Sequence, residues 1–199
     1  MRFEELENKL NAAKYINFIP FIGKKYPDAE LRILVLGESH YGDKSLNSNK
    51  ELTRETFEKD YSSGFFRNTA AMITGFGYYK SDFLWESMAF SNFFQNVIGD
   101  SADNRIFLGK KLIELSRSAF FELIGILDPH VVIAWGKGEM YSDWLPGEKR
   151  TVLNPAYKLF CYEIYPSIPV WCINHPSQAF SSEKLHNEWL KIKFEYLHK

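Results

Sequence analysis

Cysteine is scarce in this chain: Cys161 and Cys172 are the only two among 199 residues. Two thiols exclude a four-thiolate cluster, and nothing beside them has zinc-finger spacing, so no metal is expected and both read as core residues. Charge of one sign is also missing. Lys and Arg number 24 against 25 Asp and Glu, a formal net charge of −1. No global field therefore draws nucleic acid to the protein, and any such contact must rest on a local basic patch. Long apolar runs are absent too. The N-terminal MRFEELENKLNAAKYINF mixes acids and bases without the apolar stretch of a signal peptide, and no segment has the length and apolarity to span a bilayer. These absences lead us to expect a cytoplasmic protein with reduced thiols and no membrane partner. Internal repeats, low-complexity tracts and obvious linkers are lacking as well.

What the chain has is apolar bulk: 45% hydrophobic and 17% aromatic residues, enough for one substantial core, so residues 1–199 are expected to form a single domain. Apolar Phe3, Leu6, Leu10 and Ala13 recur at helical spacing and predict an amphipathic helix over 2–17 packed on that domain. Residues 31–43 read LRILVLGESHYGD. The unbroken apolar run suits a parallel strand over 32–36 buried on both faces, with Gly37, Glu38, Ser39, His40, Tyr41 and Asp43 at its carboxyl end, where open α/β sheets bind ligands. The polar stretch Asp43 to Asp60 is expected as a long loop or short helix above that site. A helix over 64–76 would bring Phe65 and Phe66 near it, and Met88 to Phe94 has the composition of a second strand. Leu112, Leu115, Ala119, Leu123 and Ile126 continue a stripe begun at Leu108 on a long helix that stops at Asp128-Pro129. VVIAWGK at 131–137 and Pro169 to Ile173 supply two further strands. Leu185, Trp189, Ile192 and Tyr196 then stripe a closing helix. Apolar strands alternating with helices predict an α/β fold, a three-layer α/β/α sandwich with a central, mainly parallel four-stranded sheet.

Polar groups thus cluster at three strand ends: Glu38 to Tyr41, Asn92, and His175 to Ser177. The order and wording of the blocks GESHYGD at 37–43, FSNFF at 90–94, VVIAWGK at 131–137 and NHPSQAF at 174–180 resemble the uracil-DNA glycosylase superfamily. The resemblance implies chemistry on a nucleobase of DNA flipped into a pocket, needing no cofactor. Asn92 would hydrogen-bond the base edge, and His175 would stabilise negative charge on a base carbonyl as the N-glycosidic bond breaks. Tyr41 falls where the best-known branch has a tyrosine crowding the pyrimidine C5 position. Phe65 or Phe66 would stack on the base, while Pro176 and Ser177 would shape the loop that presses on DNA. Gly37, Ser39 and His40 would complete the binding loop.

The chain departs from that pattern in one telling place. Ser39 stands where the best-known branch has the carboxylate that positions water, so Glu38 or Asp43 would have to replace it. Gln178, Ala179 and Phe180 likewise stand in place of the usual intercalating segment, with Phe180 as a possible apolar wedge. Each residue also has a purely structural reading: His175 as a strand cap, Asn92 as a turn-former, Tyr41 and the phenylalanines as core, Glu38, His40 and Asp43 as solvated loop groups. Lys44, Lys50, Arg54, Lys137 and Lys149-Arg150 offer a basic face or ordinary solvated surface. Two other functions stay open. One is a nucleobase- or nucleic-acid-binding module with weak catalysis; the other is a serine hydrolase of the SGNH/GDSL type with Ser39 as nucleophile, His175 as base and Asn92 as oxyanion donor. That family's aspartate three residues before the histidine is here Cys172.

Overall fold

The computed structural model describes residues 2–75, 81–101, 104–105, 109–136, 144–145, 150–176 and 180–197. Strands β1 (Phe21–Ile22), β2 (Ile33–Gly37), β3 (Met88–Asn92), β6 (Val131–Trp135), β7 (Arg150–Asn154), β8 (Leu159–Tyr162) and β9 (Tyr165–Ile173) form one sheet in the order β1-β3-β2-β6-β9-β8-β7. A separate ribbon pairs β4 (Gly99–Ser101) with β5 (Asn104–Arg105). The helices are α1 (Phe3–Asn11), α2 (Leu52–Asp60), α3 (Gly64–Thr74), α4 (Ser81–Trp85), α5 (Lys110–Leu127) and α6 (Ser182–Ile192).

The fold is α/β, but its sheet is larger and more mixed than four parallel strands. All four expected strands are present as neighbours, β3, β2, β6 and β9, each parallel to the next. Beyond them β1 pairs antiparallel with β3, and β8 and β7 continue antiparallel from β9. These flanking strands give weak sequence signals for a physical reason. β1 has two residues, and β7 is an edge whose first three residues are exposed, so it has no apolar run to betray it.

Strand alternation explains how the core divides. On one side Leu34, Leu36, Ala89, Val132, Ala134, Val170 and Cys172 pack with α1 and α5; on the other Ile33, Val35, Phe90, Ile133, Trp135, Trp171 and Ile173 pack with α2, α3, α4 and α6. Each central strand is buried on both faces, as its unbroken apolar sequence requires. Parallel β3 and β6 flank β2 on opposite sides, with the connection through α2 and α3 on one face and the connection through α5 on the other. Such a reversal, here at β2, is where open α/β sheets bind ligands, beyond the strands' carboxyl ends.

Helix limits differ from the periodicity in instructive ways. The first helix ends at Asn11 rather than 17, because side chains take over the backbone donors that a further turn would use. Glu122 accepts from the amides of Lys14 and Tyr15 at 2.9 and 2.7 Å, and Gln95 Oε1 accepts from those of Asn17 and Phe18 at 3.0 and 2.9 Å. α3 stops at Thr74, where Gly75 takes a left-handed φ of 71°. The polar stretch from Asp43 resolves into a 3-10 turn (Lys44–Ser48) and α2, the helical alternative. Leu108 of the long stripe lies outside the described residues, and α5 ends at Asp128 in a left-handed conformation before Pro129. Among the described residues, no helix is long and apolar enough to cross a membrane.

Candidate functional site

Alternation along β2, β3 and β6 puts Gly37, Asn92 and Trp135 on the same side as α3, because each lies an even number of residues after a side chain packed there. Gly37 faces Asn92 across the β2–β3 register. The approach is so close that a Cβ on Gly37 would overlap Asn92 Oδ1 and come within 3.3 Å of the Phe90 ring. Glycine is thus what lets the asparagine lie over the strand end. Asn92 is 6% exposed, and its side-chain amide has no hydrogen-bond partner among the described residues.

From there an aromatic floor runs across the strand ends. Phe90 and Trp135 stand 5.3 Å apart between ring centroids, Trp135 and His175 5.8 Å, and His175 and Phe65 5.3 Å in an edge arrangement. His175, two residues beyond the end of β9, is partly buried, and that burial lowers its pKa, so the imidazole is neutral at neutral pH. Its loop is anchored from α3, where Asn68 Nδ2 donates to the Pro176 carbonyl at 2.9 Å. Asn68 was not among the residues expected from sequence. It sits one turn after Phe65 on α3, and that spacing was the available signal.

The two phenylalanines separate cleanly. Phe66 is 3% exposed and packs among Phe57, Trp85 and Phe90, so it is core; Phe65, 39% exposed, is the ring over His175. The residues of the first loop also divide. His40 is 6% exposed, its Nε2 is 2.9 Å from Thr53 Oγ1, and its ring stands edge-on to Phe18; it ties the loop to α2 and is not placed to meet a ligand. Burial lowers its pKa to about 4. Tyr41 packs partly buried against the α1–α5 side of the core. Asp43 is exposed and caps the following 3-10 turn, accepting from the Ser45 amide at 2.8 Å. Hydrogen bonds from the Ser45 side chain and backbone lower its pKa. Glu38 is partly buried with Oε1 out of solvent, so of the two candidate carboxylates it is the enclosed one.

Ser39 Oγ is buried and has no hydrogen-bond partner among the described residues. The Ser–His contact that would activate it as a nucleophile is therefore not formed here. Cys172, where a hydrolase of that type would carry its orienting acid, packs on the α1–α5 side, and burial pushes its thiol up to about 12. Trp135 Nε1 is likewise buried without a hydrogen-bond partner among the described residues. Ser177, Gln178 and Ala179 lie outside the described residues, as do Lys137 and Lys149. Phe180 is partly buried against the core. Of the basic residues, Arg54 is committed to a bidentate pair with Glu7 at 2.7 and 2.8 Å, and Arg150 stacks over Phe160. Lys44 and Lys50 are exposed. Among the described residues, no group of three His, Cys, Asp or Glu side chains is placed to hold a metal ion.

Fold and strand ends together define an α/β protein in which an amide, an imidazole and aromatic rings gather at the reversal point of the sheet. Compared with known proteins, the chain matches no family model, and no curated protein matches it.

Proposed function

We propose that the chain is a uracil-DNA-glycosylase-like protein, a three-layer α/β/α domain that takes a flipped-out nucleobase of DNA into a crevice at these strand ends and hydrolyses its N-glycosidic bond. The observation that carries the reading is the Asn92 side chain laid over Gly37, with His175, its pKa lowered by burial, set edge-to-ring with Phe65 and joined to it by the Phe90–Trp135 rings. An amide offers a planar set of donor and acceptor to a base edge, and the exposed ring of Phe65 offers a stacking surface. Lys44 and Lys50, both exposed in the segment that follows the first loop, are offered to a phosphate backbone.

The reaction follows from these groups. Water attacks C1′ of the sugar, the C1′–N bond breaks, and its electron pair leaves with the base. Neutral His175 donates an N–H to the base carbonyl where that charge collects, and Glu38 orients the water and accepts its proton. Asp43, exposed and engaged with Ser45, takes no part. Neither metal nor organic cofactor is required, and the setting is the cytoplasm, with reduced thiols.

Oligonucleotides bearing uracil, hypoxanthine or xanthine, scored for alkali-labile abasic sites, test the proposal. Wild type should release at least one base, and His175→Ala should lower the rate about 100- to 1,000-fold, the usual effect of losing one charge-stabilising donor. Equal background from both proteins overturns the glycosylase reading; retained binding of the same oligonucleotides would then favour a catalytically weak binding module. Labelling of Ser39 by a fluorophosphonate, lost in Ser39→Ala, would instead favour the hydrolase.

A further inference from the structure

A cavity of about 340 Å³ lies on the α6 side of β9, and its lining includes none of Gly37, Phe65, Asn92, Trp135 or His175. Its volume falls in the range of small-molecule sites, about 300–1,000 Å³. The floor is core: Trp171 and Ile173 are 1% and 3% exposed, and Trp171 stacks on Trp189 of α6 at 5.9 Å. Tyr157 and Phe180, both partly buried against the core, line it with aromatic rings.

Charge at the cavity is as informative as shape. Lys158 lines it from a left-handed position, φ 51°, with its backbone pinned by the Cys172 amide donating to its carbonyl at 3.2 Å. Lys184 lines it from the first turn of α6, whose cap is Ser181, the Oγ accepting from the Lys184 amide at 3.3 Å. Among the described residues neither ammonium is paired with a carboxylate, and the helix start adds its own positive end to theirs. Glu188, one turn along α6, lines the same cavity. Its oxygens suit a sugar hydroxyl or a base amino group and disfavour a chain of further phosphates. An apolar ligand would leave both lysines without a counter-charge; a bare phosphate would leave the aromatic walls uncovered.

We infer that this cavity binds a nucleoside monophosphate, its ring against Tyr157 and Phe180 and its phosphate at Lys158 and Lys184. The ligand is either a free nucleotide or one residue of a nucleic-acid strand; only the second case rests on the glycosylase reading. The test is calorimetry and amide-shift mapping of the full chain with adenosine monophosphate, adenosine and inorganic phosphate. The monophosphate should bind saturably and shift Lys158, Asn174 and Leu185, with adenosine and phosphate each at least about tenfold weaker. Lys158→Gly combined with Lys184→Gln should weaken it about tenfold without lowering the melting temperature, since glycine suits a positive φ. His175→Ala should leave it unchanged. Competition by a short single strand identifies the ligand as strand-borne, and its absence as free. Phosphate binding as tightly as the nucleotide, shifts confined to Phe65, Asn68 and His175, or full affinity in the double variant would overturn the inference. Nucleotide binding without base excision removes the glycosylase reading alone; excision without nucleotide binding removes this one alone.

Discussion

His40 and His175 follow two parallel strands of one sheet, and burial lowers the pKa of both, yet the chain has put them to different uses. His40 is enclosed between Thr53 and Phe18, with a hydroxyl partner and an aromatic edge to hold it. His175 keeps part of its surface open and meets the exposed ring of Phe65, while the Asn68 amide donates to the Pro176 carbonyl in its loop. The difference teaches that a reactive side chain at a strand end is not yet a site. The His40 ring is held from two sides, whereas the His175 ring keeps a face open.

The strongest way to break that contrast is through protons. His40 has a folded pKa of about 4 against an unfolded value of 6.5, so between those values the unfolded chain binds the extra proton. Its contribution is fully present above pH 6.5 and is lost as pH falls towards 4, on the order of 3 kcal/mol. Urea titrations across that window should show the fall in wild type and a shallower one in His40→Phe. If the variant is as acid-sensitive as wild type, His40 is not the enclosed histidine described here.

Next comes Gly37. Alanine there must push Asn92 aside, and we expect a stability loss of about 1–2 kcal/mol in denaturant titration together with loss of base binding. Gly64→Ala at the start of α3, where a Cβ meets nothing within 4 Å, is the paired control and should lie within about 0.5 kcal/mol of wild type. Asn68→Ala removes one hydrogen bond to the loop of His175, worth about 1 kcal/mol by denaturation, and should lower the excision rate more than substrate affinity. Unchanged kinetics would show that the β9 loop holds itself. The smallest effect belongs to Asp43→Asn, which removes the charge of an exposed turn cap and should leave excision kinetics and their pH profile as in wild type.

Much of this was legible beforehand because central strands leave an unmistakable trace. Residues 33–37 and 131–135 are buried on both faces, so every position is apolar or small, and the four parallel strands could be located from that alone. Antiparallel β7 and β8 were not, since β7 is an exposed edge and the Asn154–Lys158 turn between them resembles any surface loop. The residues at the strand ends were visible as a set but not as individuals. Phe65 and Phe66 are chemically identical neighbours, and the helix phase alone sends one to the core and the other to His175. Glu38 and Asp43 are both loop carboxylates, and the Ser45 amide claims the second.

By itself the sequence determined the α/β alternation, the central strands and the strand ends where polar groups gather, because burial of the backbone on both faces dictates composition residue by residue. Only the tertiary structure decided which of those groups come together. That choice depends on contacts between residues far apart in the chain, such as Asn68 with Pro176, Gly37 with Asn92 and His40 with Thr53, and no local pattern encodes a partner's distance.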